Sequence, residues 1–196
     1  MGRVSHEYST FSASPHVLPF LLKAASAWEP GSRVMPLSLA GSIVAAPETV
    51  LDGYLAALEE LRLLALDTLN SSRLNRSHRI YILQSALAFE RERLWGRALE
   101  RLNDGEFSGV CPACHADVYF IAGQEGFSCA AQDWVSNPET PRSEIHAVAA
   151  DGIPSEGRRV YDLCLLSGDA VLAEWICYLY GISICPNCAI RFKWRK

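Results

Sequence analysis

The sequence predicts a mainly α-helical protein with a small β element, built as stacked helical hairpins followed by an α+β segment. Three observations lead to this prediction. Apolar residues recur at steps of three and four through residues 1–105, and Cys-Pro-x-Cys occurs at both 111–114 and 185–188. Short aromatic and β-branched runs lie between the two cysteine pairs. We therefore divide the chain into a helical region, 1–105, and a cysteine-containing region, 106–196.

The composition is that of a folded globular protein. The chain has 196 residues, of which 49% are hydrophobic and 20% charged, enough to bury a substantial core. Its apolar stretches are shorter than the roughly 18 to 20 residues that cross a bilayer, and the start "MGRVSHEYSTF" lacks the pattern of a signal peptide. We therefore expect a cytoplasmic protein without membrane contact, whose thiols stay reduced.

Helices are predicted throughout the first region. One covers "SPHVLPFLLKAASAW", and a second begins near Pro36 and ends at Ala46. Pro47 is expected to open the third, which continues to about residue 70. The buried stripe of this third helix consists of Leu51, Leu55, Leu58, Leu61 and Ala65, extended by Leu66 and Leu69.

Two more helices complete the first region. Ser77 is expected to cap the fourth, and the fifth extends from about Arg91 to Asn103, where "NDG" ends it. Helices paired at a spacing of about forty residues are typical of HEAT-like repeats, although a compact bundle gives the same pattern.

The second region has mixed elements. "DVYFIAG" and "GFSCA" are predicted to form a hairpin, and two helices are expected near 159–166 and 169–180. After Cys188, apolar and basic residues alternate, as in a strand with one face of each kind. The residues of this strand are Ile190, Phe192 and Trp194 on one face and Arg191, Lys193 and Arg195 on the other.

Two C-x-x-C pairs carry the clearest chemistry. A tight turn can point two thiolates at one ion, so two turns supply the four sulfurs of a tetrahedral site. The ligands would be Cys111, Cys114, Cys185 and Cys188. Closing the long loop between the pairs costs on the order of 4 kcal/mol, whereas structural zinc contributes roughly 10 to 16 kcal/mol in small peptides. We therefore expect one structural Zn²⁺ per chain.

Other uses of the cysteines are weaker. Each pair could be a redox motif, but neither opens a helix after a βαβ strand. Residues 111–115 also spell C-x-x-C-H, the haem-attachment signature, which requires export. Cys129, Cys164 and Cys177 are most simply small buried hydrophobic residues. Four thiolates leave no open coordination position, which argues against hydrolysis at the metal.

Charge is unevenly distributed along the chain. Residues 106–190 hold 3 basic and 11 acidic side chains, and the terminal "RFKWRK" holds 4 basic ones. An acidic field complements a basic protein surface and speeds encounter, although acidic side chains also simply keep a protein soluble. The candidate partner-binding residues are Glu125, Asp133, Glu139, Glu144, Asp151 and Glu156.

The sequence also bears on two further functions, nucleic-acid binding and catalysis. The basic terminal strand could grip nucleic acid through Arg191, Lys193 and Arg195, with Trp194 stacking on a base. The acidic residues before it would repel phosphate, which makes nucleic acid an unfavoured partner. Enzymatic sequence signatures are absent: there is no Gly-rich phosphate loop, no G-x-S-x-G and no H-E-x-x-H. We therefore expect a protein that is not an enzyme.

Parts of the sequence resemble a group of bacterial HEAT-like repeat proteins. In "HEYSTFSASPHVLPFLLKAA" a tyrosine and a small polar run precede a "VPFL"-type helix, here "VLPFL". These residues are Tyr8, Ser9, Thr10 and Ser12. "LNDGEFSGVCPACHADVYFIAGQEGF" and "ICPNCAIRF" are similar to the zinc-ribbon part of the same proteins. The resemblance implies a helical repeat with a C-terminal four-cysteine zinc ribbon. It also implies an immunity protein that neutralises a basic toxin domain, and it identifies no catalytic residues. Residues 135–160, which the resemblance does not cover, are expected to form the variable contact region.

Overall fold

The computed structural model describes residues 14–47, 49–71, 73–92, 94–123, 126–133, 137 and 139–193. They form helices and a curled six-stranded antiparallel sheet, so the protein is α+β, with more β structure than the small element predicted. The chain divides into two compact units, Met1–Glu100 and Arg101–Lys196. None of the helices in these described ranges is long and apolar enough to cross a bilayer.

The first unit is helical. Its helices are α1 (Leu18–Ala27), α2 (Val34–Ala45), α3 (Leu55–Leu69), α4 (Arg76–Phe89) and α5 (Trp95–Ala98), with short 3-10 turns at Ser14–Val17, Pro30–Ser32 and Asp52–Tyr54. Helix α4 packs against α2, α3 and α5. It buries Ile80, Leu83 and Leu87 completely or almost so, which makes it the central helix of this unit.

Small residues let α4 approach its neighbours. A Cβ added at Gly41 of α2 would lie 2.7 Å from Ser85 Oγ and 2.8 Å from Ser85 Cα. A Cβ added at Gly96 of α5 would lie 2.9 Å from Ala88 Cα. Such distances are below ordinary carbon–carbon contact, so both crossings require glycine.

Helix α3 begins later than the sequence predicts. The Thr49 hydroxyl donates to the carbonyl of Ile43 at 2.8 Å, so Thr49 closes α2 and does not enter α3. The 3-10 turn at Asp52–Tyr54 directly precedes α3. Leu55, expected in the buried stripe, is 55% exposed, and the buried stripe starts at Leu58.

The remaining helix boundaries also differ from expectation. Asn75, not Ser77, caps α4, because its side chain accepts from the amide of His78. The predicted fifth helix is broken after Ala98. There the amide of Glu100 donates to the side chain of Gln84 at 2.7 Å, so it is not available for a helical bond.

The second unit contains the sheet. Its elements are α6 (Arg101–Asp104), β1 (Glu106–Val110), β2 (Asp117–Gly123), β3 (Gly126–Ala130), β4 (Arg142–His146), α7 (Ser155–Leu166), α8 (Ala170–Leu179), β5 (Ile182–Ile184) and β6 (Arg191–Lys193), with a 3-10 turn at Ala150–Gly152. The strands lie side by side in sequence order and every pairing is antiparallel. The predicted β2–β3 hairpin is therefore present, whereas β1, β4 and β5 were not predicted.

Aromatic contacts fix how this unit is packed. Phe127 of β3 packs against Trp175 and Tyr178 of α8, with ring centroids 5.6 and 5.8 Å apart. Phe120 of β2 meets Phe192 of β6 edge-on at 6.3 Å, although three strands separate β2 from β6 in the sheet order. The sheet must curl for these two rings to meet, and the curl also brings the β1–β2 and β5–β6 hairpins together.

Candidate metal centre

The first cysteine turn joins β1 to β2. The amide of Cys111 donates to the carbonyl of Ala116 at 2.9 Å, and the amide of His115 donates to the carbonyl of Cys111 at 3.0 Å. These two bonds close the turn and hold Cys114 inside it. His115 has a left-handed backbone, with φ 58.

The second cysteine turn, between β5 and β6, repeats this arrangement. The amide of Cys185 donates to the carbonyl of Ile190 at 2.9 Å, and the amide of Ala189 donates to the carbonyl of Cys185 at 2.9 Å. Ala189 again has φ 58. The two segments therefore present their cysteines in the same way.

The four sulfurs converge at one point. All four Sγ atoms lie within 4.8 Å of one another, with Cys111 to Cys188 at 3.7 Å and Cys114 to Cys185 at 3.8 Å. None of the four forms a disulfide. Sulfurs bound about 2.3 Å from a tetrahedral ion lie about 3.8 Å apart, so these distances suit such an ion. The predicted ligands are thus positioned to hold a metal.

Burial alternates within each turn. The first cysteine of each pair, Cys111 and Cys185, is buried, and the second, Cys114 and Cys188, is exposed. An ion at this place would be held between the sheet and the solvent, within reach of chelators. The arrangement supplies four sulfur ligands and leaves a tetrahedral ion with no position for a substrate.

The thiols of the cluster differ in pKa. Burial acts to raise the pKa of Cys111, but hydrogen bonds from the backbone of Cys114 and Ala113 and from neighbouring thiols outweigh it and lower this pKa to about 6. At Cys188 a hydrogen bond with the backbone of Ile190 acts to lower the pKa. Partial desolvation and hydrogen bonds with the neighbouring thiols outweigh it and raise this pKa to about 12. Because a bound cation favours thiolates, it would hold all four sulfurs deprotonated.

The other three cysteines are separate from the ligand set. Cys129 and Cys164 are buried and Cys177 is half-buried. Burial, followed by the charge of nearby Cys185, raises the pKa of Cys129 to about 12. Cys129 therefore lies beside the cluster as a neutral thiol.

The acidic candidate residues are spread over several elements of the second unit. Glu139 lies before β4, Glu144 on β4, Asp151 in the 3-10 turn and Glu156 in α7, and all four are exposed. Asp133 is half-buried after β3. The remaining candidate, Glu125, lies outside the described residues.

The basic terminal strand is partly described. Arg191 and Lys193 of β6 are exposed, and Phe192 between them is buried. The alternation that the sequence predicts therefore holds for β6. Trp194, Arg195 and Lys196 lie outside the described residues.

The first unit also contains a cleft. It has a volume of about 410 Å³ at the ends of α2 and α4. Its charged lining residues are Asp52, Arg91, Glu92 and Arg97, and none of its described lining residues is a histidine or cysteine. The Glu92 carboxylate accepts from the amide of Trp95, the first residue of α5, at 2.6 Å.

Sequence reasoning missed one residue beside the cluster. Ser143 of β4 donates its hydroxyl proton to the carbonyl of Ile184, the residue before Cys185. No motif marks this serine, and its strand was not predicted, so the sequence alone carried no signal for it.

Comparison of the chain with models of known protein families, with curated proteins and with solved structures finds no match.

Proposed function

We propose that the four cysteines hold one structural Zn²⁺ and that the two cysteine turns form a zinc ribbon. The observation that carries this proposal is the convergence of four sulfurs from two distant turns within 4.8 Å. An all-thiolate set favours zinc over Mg²⁺ or Ca²⁺, which prefer oxygen ligands. Four sulfurs also fill the coordination sphere, as in structural zinc sites.

The proposed role of the ion is to join two hairpins. The first cysteine turn connects β1 to β2, and the second connects β5 to β6. These two hairpins are at opposite ends of the strand order. Between them the chain forms β3, β4, α7 and α8. The contact of Phe120 with Phe192, 6.3 Å between centroids, supports the same closure from the apolar side.

Elemental analysis tests the metal directly. Protein purified without chelator should contain about one zinc per chain. Replacing zinc by Co²⁺ should give the intense charge-transfer absorption of a tetrathiolate site. Protein that contains no metal and takes up neither ion would refute the proposal.

We propose further that the protein is a non-enzymatic cytoplasmic scaffold that binds another protein, with a HEAT-like first unit. Its partner would be a basic toxin domain, which it neutralises as an immunity protein. The exposed carboxylates Glu139, Glu144, Asp151 and Glu156 support a basic partner, because opposite charge speeds encounter and sets specificity. A filled coordination sphere supports a role without catalysis.

Co-expression with the product of the neighbouring gene tests this role. The pair should co-purify, and the protein should relieve the toxicity of its partner. Charge reversal by Glu144→Lys with Asp151→Lys should slow association at low salt, whereas Glu60→Lys, an exposed residue of the first unit, is the matched control. A neighbouring product that is harmless and does not bind would count against the toxin.

A second candidate function rests on the exposed Arg191 and Lys193 of β6. These side chains could contact the phosphates of nucleic acid in a zinc-ribbon factor. The test is binding to single-stranded and duplex DNA and RNA at low salt. Binding should weaken as salt rises and be lost with Arg191→Ala and Lys193→Ala, and no binding at low salt would exclude this function.

A further inference from the structure

Ser143 of β4 links the second cysteine turn to the rest of the sheet. Its hydroxyl donates to the carbonyl of Ile184, which ends β5 and directly precedes Cys185. The same hydroxyl oxygen lies 3.2 Å from the carbonyl oxygen of Cys129 on β3. One side chain thus contacts the main chain on both sides of β4.

This hydrogen bond occupies a place where the main-chain ladder has ended. Strand β4 pairs with β5 through Ile145 with Ser183 and His146 with Ile182. Continued by one residue, the ladder would bring Ile184 opposite Glu144, a pair that the ladder does not include. Instead, the Ser143 hydroxyl satisfies the Ile184 carbonyl at the point where β5 passes into the turn.

The position of Cys185 depends on this point. Cys185 is buried, and its amide and carbonyl are both used within the turn, in bonds to Ile190 and Ala189. Those bonds fix the shape of the turn but not its location relative to β4. The hydrogen bond from Ser143 ties Ile184, the residue before Cys185, to β4.

We propose that Ser143 is a positioning residue for the metal site: its hydroxyl fixes the end of β5 and thereby holds Cys185 where it meets the ligands of the first turn. This inference rests on the proposed metal-binding function and deepens it. Residues that hydrogen-bond beside the ligands of a metal site orient those ligands, and their loss typically weakens metal binding by about 10- to 100-fold.

Four variants of the full chain separate the hydroxyl from its surroundings. Ser143→Ala removes the hydroxyl and leaves a small gap. Ser143→Thr keeps the hydroxyl, and Ser143→Val has the shape of threonine without it. Ser108→Ala makes the same change as the first variant at an exposed position of β1, close to the first cysteine turn.

The affinity for Zn²⁺ is measured by competition with a chromophoric chelator, and the ligand geometry by the absorption of the Co²⁺ form. We expect Ser143→Ala and Ser143→Val to bind Zn²⁺ about 10- to 100-fold more weakly and to have an altered Co²⁺ spectrum. Ser143→Thr should stay within about threefold of the unaltered protein, and Ser108→Ala should match it. Urea unfolding of the metal-free proteins records any general loss of stability.

Each result decides the matter. Unchanged affinity in Ser143→Ala, or equal affinity in the Thr and Val variants, overturns the positioning role. Lower stability of the metal-free form with unchanged affinity assigns Ser143 to general packing and also overturns it. If the unaltered protein binds neither Zn²⁺ nor Co²⁺, the metal-binding function itself fails, a result that differs from all of these, and the positioning role fails with it.

Discussion

His115 and Ala189 occupy the same position in the two cysteine turns, directly after the second cysteine, and both have a left-handed backbone with φ 58. In each turn the amide of this residue donates to the carbonyl of the first cysteine. A left-handed backbone is costly for residues with a Cβ and easily adopted by glycine. The local conformation of each turn therefore includes a strained residue that is not one of the four cysteines.

Ala189→Gly should stabilise the second unit. Relief of the left-handed strain outweighs the greater freedom of glycine in the unfolded chain, which gives a gain of about 0.5 to 1 kcal/mol in the free energy of unfolding. Urea unfolding of the metal-loaded protein measures it. The matched control is Ala113→Gly, an exposed alanine in the first turn that is not among the residues with positive φ, where glycine should destabilise. Equal losses in both variants would contradict the argument.

Loss of one ligand should destabilise the second unit by several kcal/mol. Zinc in small peptides contributes roughly 10 to 16 kcal/mol, and closing the loop between the turns costs about 4 kcal/mol, so the metal dominates. We expect Cys111→Ser and Cys188→Ser to retain little metal and to unfold at a lower urea concentration. Tryptophan fluorescence measures this unfolding, because Trp175 packs against Phe127 in the second unit.

The control for ligand loss is Cys177→Ser. Cys177 is half-buried in α8 and lies outside the sulfur cluster, so this variant should keep its metal. If Cys177→Ser loses as much metal as Cys111→Ser, the four-sulfur site is not the one that binds. If neither ligand variant changes stability, the ion does not clamp the hairpins.

The candidate site was predictable because each of its two cysteine pairs is a short sequence motif that can be recognised on its own. Two C-x-x-C pairs identify four ligands by residue type and spacing alone, and the structure brings these sulfurs together as the sequence predicts. The β2–β3 hairpin was predictable for a similar reason, since its strands of seven and five residues are adjacent in the chain.

The rest of the fold depends on contacts that residue type and periodicity do not reveal. Strand β5 has only three residues, too few for a periodic pattern, and it forms because β4 and β6 flank it. The late start of α3 depends on the bond from Thr49 to Ile43, in which a side chain closes the preceding helix. Asn75 and Ser77 are both good caps by residue type, and only the observed bond to His78 distinguishes them.

Alkylation should separate the cysteines by metal protection and by pKa. With metal bound, the four ligands should react slowly with iodoacetamide at pH 8, and after chelation the exposed Cys114 should react quickly. Cys129 should stay unreactive in both forms, because burial raises its pKa to about 12 and almost none of it is thiolate at pH 8. Raising the pH from 8 towards 10 should increase the slow alkylation rate of Cys129. Its raised pKa lies above both of these pH values, so the thiolate fraction still grows between them.

Peptide mapping by mass spectrometry measures each rate, and denatured protein provides the control in which all seven cysteines should react. Fast alkylation of Cys129 in the folded protein would mean that this thiol is accessible. Equal rates for Cys114 with and without chelator would mean that no metal protects it.

Gly41→Ala should destabilise the first unit by about 1 to 3 kcal/mol. The added methyl group would lie 2.7 Å from Ser85 Oγ and 2.8 Å from Ser85 Cα, and because the second atom is backbone, α2 and α4 must move apart. Gly53→Ala is the control: nothing lies within 4 Å of its added methyl group, so its effect should stay within about 0.5 kcal/mol. Urea unfolding of both variants compares them. Similar stabilities of the two variants would mean that the α2–α4 crossing has room for a methyl group at Gly41. Helix α4 would then not be held by close packing against α2 at Ser85.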